Sequence, residues 1–236
     1  MTDLRAQPAA SPEPATASGP GFREKLRGYG PVGIIVSLVL TAVGIVMAPV
    51  GAVLVLVWAW ASKLPFADIG FVRPKSWVRT IFFGIVLGLV LKFVMKAIVL
   101  PLLGADAVNH TFHYIAGDPK QAAFFAVYVI FGAGFAEEIF FRGYLFERIG
   151  KLIGTGFFAS IVALLVATAL FGGLHYGQGY MGIVNALIVG FIVGAIFLIT
   201  GRNLWVPIVM HAAFDVSSVI MIYYDAEEAF SHLIFK

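Results

Sequence analysis

Residues 33–61 contain no charged side chain, and the stretch is almost continuously apolar, punctuated only by Ala48-Pro49-Val50-Gly51. A helix over those 29 residues would be about 43 Å long, against a bilayer core of about 30 Å. Further apolar runs occupy about 78–103, 158–174, 181–200 and 204–223. The chain is 60% hydrophobic and 12% charged, with a mean hydropathy of +0.94, where soluble domains carry about 25% charged residues. These runs predict an all-α fold, a polytopic membrane bundle of about six to eight transmembrane helices, embedded in the lipid bilayer. There is no cysteine, which excludes disulfides, thiolate metal sites and cysteine nucleophiles. The formal net charge of +3 is read through its distribution over the loops, and no nucleic-acid partner is expected.

Residues 1–22 are rich in Pro, Ala and Ser without an apolar period, so 1–29 reads as a disordered tail ending in a basic collar of Arg23, Lys25 and Arg27. No signal peptide is expected, because the first apolar run is far too long for one. One transmembrane domain then covers 30–230, followed by a short tail, 231–236. The segment 33–61 is too long for one untilted crossing and too short for two, so a single span and a hairpin bent at 49–51 both stay open. The loop 62–79 carries Lys63, Arg73, Lys75 and Arg79, and the positive-inside rule puts it with the collar on the cytoplasmic side of a multi-pass cell-membrane protein. The loop 104–119 holds Asp106 and Asp118 and reads as external, and its His110 and His113 lack a third metal ligand. Lys92 and Lys96, one turn apart in the second span, are expected to snorkel to an interface. Gly84/Gly88 and Gly190/Gly194 have the spacing that lets membrane helices pack closely.

Glu137, Glu138 and Arg142 stand inside an apolar helical run, where each charge costs about 2.5–3.5 kcal/mol to insert. Positions four apart share a helical face, so Arg142 pairs with Glu138, and Glu137, turned by roughly 100°, is left to face something else. Two more polar groups interrupt apolar sequence. Phe171-Gly172-Gly173-Leu174-His175 carries one imidazole, and His211 and Asp215 stack four residues apart on one face. Converging in a bundle, Glu137 and His175 would hold and deprotonate a water while His211 stabilises an oxyanion. The same Glu137, His175 and His211 would also suffice as ligands for catalytic zinc, and the two readings stay open.

These residues resemble the three motifs of the CPBP intramembrane proteases, the CAAX prenyl endopeptidase and bacteriocin-processing (Abi) family: EExxxR, FxxxH and HxxxN or HxxxD. They occur in that order as Glu137-Glu138…Arg142, Phe171…His175 and His211…Asp215. The resemblance implies an intramembrane endopeptidase acting on a peptide or protein substrate at the membrane, with a protease core at about 120–224. Glu137 and His175 would act on the water, and His211 with residue 215 at the oxyanion. Glu138 and Arg142 would support them, and Phe171 would only pack beside His175. Position 215 is often Asn in the family, and an ionised Asp cannot donate to an oxyanion, so Asp215 would instead orient His211, bind a metal or stay protonated. The family also includes non-catalytic immunity proteins, which sets the alternative function. His175 falls near the outer end of its span, so that helix is expected to start late or bend at Gly172-Gly173. Asn185 is expected to make an interhelical hydrogen bond.

Overall fold

The computed structural model describes residues 21–235; of the disordered tail expected over 1–29, residues 1–20 lie outside the described residues, as does Lys236, while the collar departs from expectation by forming a helix over Phe22–Arg27. Among the described residues there are nine helices and no strand. They are α1 (Phe22–Arg27), α2 (Pro31–Val46), α3 (Ala48–Ser62), α4 (Trp77–Leu102), α5 (Pro119–Ile153), α6 (Phe157–Leu174), α7 (Tyr176–Ile199), α8 (Trp205–Tyr223) and α9 (Glu227–Ser231). Five of them, α4 to α8, are long and apolar enough to cross a membrane. The chain is thus an all-α polytopic membrane bundle.

The ambiguous segment resolves as a hairpin. The backbone breaks at Met47 (φ −145°, ψ 84°), two residues before the Pro49 at which the bend was expected. Gly44 and Gly51 meet across the turn so closely that a Cβ on Gly51 would strike the Gly44 backbone. The two arms have 16 and 15 residues, about 24 and 22 Å of helix, shorter than the bilayer core. Both open ends return to α1, where Trp58 Nε1 donates to the Leu26 carbonyl at 3.0 Å. The basic collar and the loop after α3 therefore share one end of the bundle.

That end is built around Arg148. Its guanidinium pairs with Glu147 at 2.6 Å, donates to the Arg27 carbonyl at 2.9 Å and lies over the rings of Tyr29 and Trp58. Lys151 donates to the same carbonyl at 2.7 Å, and the Tyr29 hydroxyl to the Arg148 carbonyl. At the opposite end, Gly117 N–H donates to the Tyr223 carbonyl at 3.0 Å, joining the start of α5 to the end of α8. We call the two ends the collar face and the far face.

The helix pairs are set by glycine. A Cβ on Gly84 would lie 2.6 Å from Val209 Cβ, and one on Gly88 would lie 2.8 Å from Ala213 Cβ and nearer still to the Met210 carbonyl, so α4 lies flat against α8. From the other side, a Cβ on Gly134 of α5 would lie 2.7 Å from Ala212 Cβ. Gly190 of α7 receives the Phe171 ring and Gly194 receives Leu164, so the two motifs expected from the spacing both serve close packing.

The lysines depart from expectation. Lys96 does not snorkel: it is 5% exposed and pairs with Glu227 of α9 at 3.1 Å while donating to the Ala107 carbonyl at 2.5 Å. Lys92 lies over the Phe214 ring at 4.8 Å, inside the bundle. In the far-face loop, His110 bonds Asp106 at 3.0 Å in the open. The Val108 N–H, with help from His110, holds the Asp106 carboxyl below its usual range.

Two outcomes follow from this packing. Gly88→Leu must push α4 off α8 and should cost about 1–3 kcal/mol, read as a lowered melting temperature in detergent. Gly173→Ala, where a Cβ would meet nothing within 4 Å, should leave the melt unchanged. In sealed vesicles, single cysteines at Arg23 and Lys75 should react with an impermeant thiol reagent from the same side, and one at Tyr114 from the other. Opposite labelling of Arg23 and Lys75 would contradict the hairpin.

Candidate active site

Glu137 and Arg142 sit in stretches of α5 that are not α-helical, on either side of Glu138. Residues Val129–Glu137 and Ile139–Tyr144 form π-helical turns, with hydrogen bonds reaching five residues back, a widening common at functional sites. The four-residue pairing survives the change of geometry. Arg142 Nη1 donates to Glu138 Oε1 at 2.7 Å, with the two side chains 2% and 0% exposed. Glu137 turns the other way.

Glu138 has a second partner. His211 Nδ1 lies 2.7 Å from the same Oε1, so one carboxylate oxygen joins the guanidinium of α5 to an imidazole of α8. A carboxylate bonded to arginine is an acceptor, so His211 Nδ1 carries the proton of this bond. The remaining guanidinium nitrogen, Nη2, donates to the Gly190 carbonyl of α7 at 2.8 Å. Three helices are thereby tied through buried groups that water does not reach. His211 Nε2 then faces two more carboxylates, Asp215 Oδ2 at 3.4 Å and Glu137 Oε2 at 4.0 Å.

Phe171 fills the space beside this network. Its ring touches His175 at 4.6 Å, His211 at 5.8 Å and Phe141 at 5.1 Å, and Arg142 lies over it at 5.1 Å. It is therefore a buried wedge between four site residues, a larger part than the packing beside His175 expected of it.

His175 caps α6. Its Nδ1 lies 2.7 Å from the Phe171 carbonyl, which only accepts, so Nδ1 carries the proton. Burial pulls the pKa of His175 below the ordinary imidazole value. A neutral ring protonated on Nδ1 leaves Nε2 as a lone-pair acceptor.

The helix α6 starts at Phe157 and runs unbroken through Gly172-Gly173, so neither the late start nor a break there brings His175 to the site. The reason is the length of α5, which continues to Ile153. Glu137 lies 16 residues from that end and His175 18 residues from the start of α6, so the two antiparallel helices place them at similar depth. His211 reaches the same level because α8 begins deep in the bundle: Leu204 N–H donates to the Gly70 carbonyl, and Ile69 packs against Gly143.

Glu137, His175, His211 and Asp215 all line one cavity of about 410 Å³. Glu137 Oε2 is buried there with no hydrogen-bond partner among the described residues. The Lys96–Glu227 pair and Asn109 close the far-face end of the cavity, where Asn109 N–H donates to Glu227 Oε2 at 3.2 Å. Sequence spacing could not reveal that pair, whose members are 131 positions apart. Lys92 and Asn185 also line the cavity, and the Asn185 side chain makes no hydrogen bond among the described residues, in place of the interhelical one expected.

A metal does not fit this donor set. No three His, Asp or Glu side chains among the described residues group around a point suited to an ion. The chemistry is therefore derived from the protein's own acids and bases.

Residues 119–217 match the family model Type II CAAX prenyl endopeptidase Rce1-like, and this segment, carrying all three motifs, is consistent with the CPBP family. That match suggests a CAAX-type intramembrane protease activity. Comparison with curated proteins finds no match, and neither does comparison with solved structures.

The network is held together by the charge on Glu138. Glu138→Leu leaves Arg142 buried without a counter-charge and should cost about 3–5 kcal/mol of stability, measured by denaturant unfolding in micelles. Glu138→Leu combined with Arg142→Met should recover a large part of that loss, because no lone charge then remains. A double variant as unstable as the single one would rule out the buried pair as the cause.

Proposed function

We propose that the protein is an intramembrane endopeptidase in which Glu137 is the general base. The observation that carries this reading is the buried Glu137 Oε2, which has no hydrogen-bond partner among the described residues and faces the same cavity as His175. A carboxylate so placed, beside a neighbour that takes up both Arg142 and His211, is free to accept a proton. In this mechanism a water is held between Glu137 and His175 Nε2. Glu137 takes its proton as the water oxygen bonds to the scissile carbonyl carbon. The carbonyl oxygen becomes an oxyanion and is met by His211 Nε2–H, which Glu138 and Asp215 hold in place. Glu137 then passes the proton to the leaving amine as the carbon–nitrogen bond breaks. Asp215 serves as the orienting carboxylate, for which its 3.4 Å approach to His211 Nε2 is the support.

The domain assignment belongs to the same proposal: one transmembrane domain over 30–230, a protease core over about 120–224, and a terminal tail over 231–236. The collar face is assigned to the cytoplasm by its basic residues, including Arg23, Lys25, Lys63, Arg73 and Lys75. The substrate is a peptide or protein segment at the membrane, small enough in section to enter the cavity.

Glu137→Gln keeps the shape and removes the base, so cleavage of an internally quenched peptide by the variant in proteoliposomes should fall at least about 100-fold. The melting temperature should stay near that of the wild type, because Glu137 makes no hydrogen bond to lose. Cleavage at the wild-type rate by Glu137→Gln would overturn the protease reading in favour of a binding or immunity protein.

A further inference from the structure

The proposed reaction needs hydrogen-bond donors at the oxyanion, and those on the two histidines and Ser218 are already engaged. His175 Nδ1 is bonded to Phe171, His211 Nδ1 to Glu138, and Ser218 Oγ to the Phe214 carbonyl at 3.1 Å. His211 Nε2 is shared with Asp215, and Asp215 as a carboxylate has nothing to donate. The uncommitted donors lining the cavity are Lys92, Asn109, Tyr128, Gln178 and Asn185.

Depth separates them. Asn109 lies in the far-face loop and Gln178 in the turn at the start of α7. Tyr128 is nine residues nearer the far face than Glu137 on the same helix. Asn185 is at the right level, and the packing shows why. Phe171 of α6 seats on Gly190 of α7. His175 is four residues beyond Phe171 towards the far face, about 6 Å of helix. Asn185 is five residues beyond Gly190 in the same direction, about 7.5 Å. The two side chains therefore stand level on adjacent antiparallel helices, and both line the cavity. Gly190 also fixes the height of α7 against the reacting groups, because its carbonyl receives Arg142. Lys92 approaches from α4, on the other side of α8, with its ammonium over the Phe214 ring.

We propose that Asn185 is a catalytic residue whose side-chain amide donates, with His211 Nε2–H, to the oxyanion formed on the scissile carbonyl. It supplies from α7 the neutral amide donor that Asp215 does not supply from α8. This assignment rests on the endopeptidase reading above. It makes α7 part of the active site and not only a packing partner of α6.

The test uses the full chain in proteoliposomes and an internally quenched peptide chosen, from an apolar set, because the wild type cleaves it. Asn185→Leu and Asn185→Asp should each lower kcat about 100-fold with KM within threefold, since one oxyanion donor is removed and substrate binding is not. Asn185→Gln keeps an amide on a longer arm and should recover at least tenfold over Asn185→Leu. Lys92→Met should lower kcat far less than Asn185→Leu. Wild-type kcat in Asn185→Leu, an Asn185→Gln no better than Asn185→Leu, or an equal loss in Lys92→Met would each overturn the proposal while leaving the endopeptidase reading intact. If the wild type cleaves no peptide in the set while binding them to the cavity, the endopeptidase reading fails and the role of Asn185 fails with it.

Discussion

One oxygen atom of Glu138 holds a guanidinium from its own helix and an imidazole from another, out of reach of water. In a medium of low polarity such a carboxylate is destabilising unless it is matched in both charge and hydrogen bonds. Here the match comes from Arg142 at 2.7 Å and His211 at 2.7 Å, and Arg142 is itself anchored to the Gly190 carbonyl. The junction thus fixes the relative rotation of α5, α7 and α8. It also dictates what its neighbour does. Glu138 takes both positive partners on Oε1, its Oε2 being buried without one, whereas neither oxygen of Glu137 is bonded among the described residues and the side chain faces the cavity. The division of labour between two adjacent, chemically identical side chains comes from geometry alone.

The rest of the bundle sets the depth at which this junction operates. Arg148, stacked between Tyr29 and Trp58, pins the collar end of α5 to α1 and α3. The chain before α8 dips inward, so that Leu204 bonds Gly70 and His211 rises only about two turns before meeting Glu138. At the far end the buried Lys96–Glu227 pair ties α9 over the cavity. Close glycine contacts along α4 and α7 bring backbones near enough for these short side-chain links to span the gaps.

The sequence made visible what lies within one or two helical turns. The Glu138–Arg142 and His211–Asp215 pairs, the glycine stripes and the long spans all follow from local periodicity, and the structure contains them. The Glu138–His211 bond was not legible, because its members lie 73 positions apart and nothing local distinguishes a carboxylate with one partner from one with two. Lys96 illustrates the same limit. A lysine near a helix end reads as snorkelling until the distant Glu227 is known. The depth of His175 was misjudged because Glu147 and Arg148 look like a polar helix end, whereas they pair with each other beneath α1 and the helix continues to Ile153. The π-helical turns of α5 lie outside what an apolar period of 3.6 residues describes.

The central claim is that Glu138 and His211 are energetically coupled, so that the junction holds the catalytic imidazole in place. A double-mutant cycle with Glu138→Gln and His211→Gln, followed by reversible unfolding in mixed micelles, measures that coupling directly. The account predicts a coupling energy of about 1–3 kcal/mol, the range for residues sharing one buried network. Additive losses, within about 0.3 kcal/mol, would mean that the two side chains do not act as a unit and would contradict it.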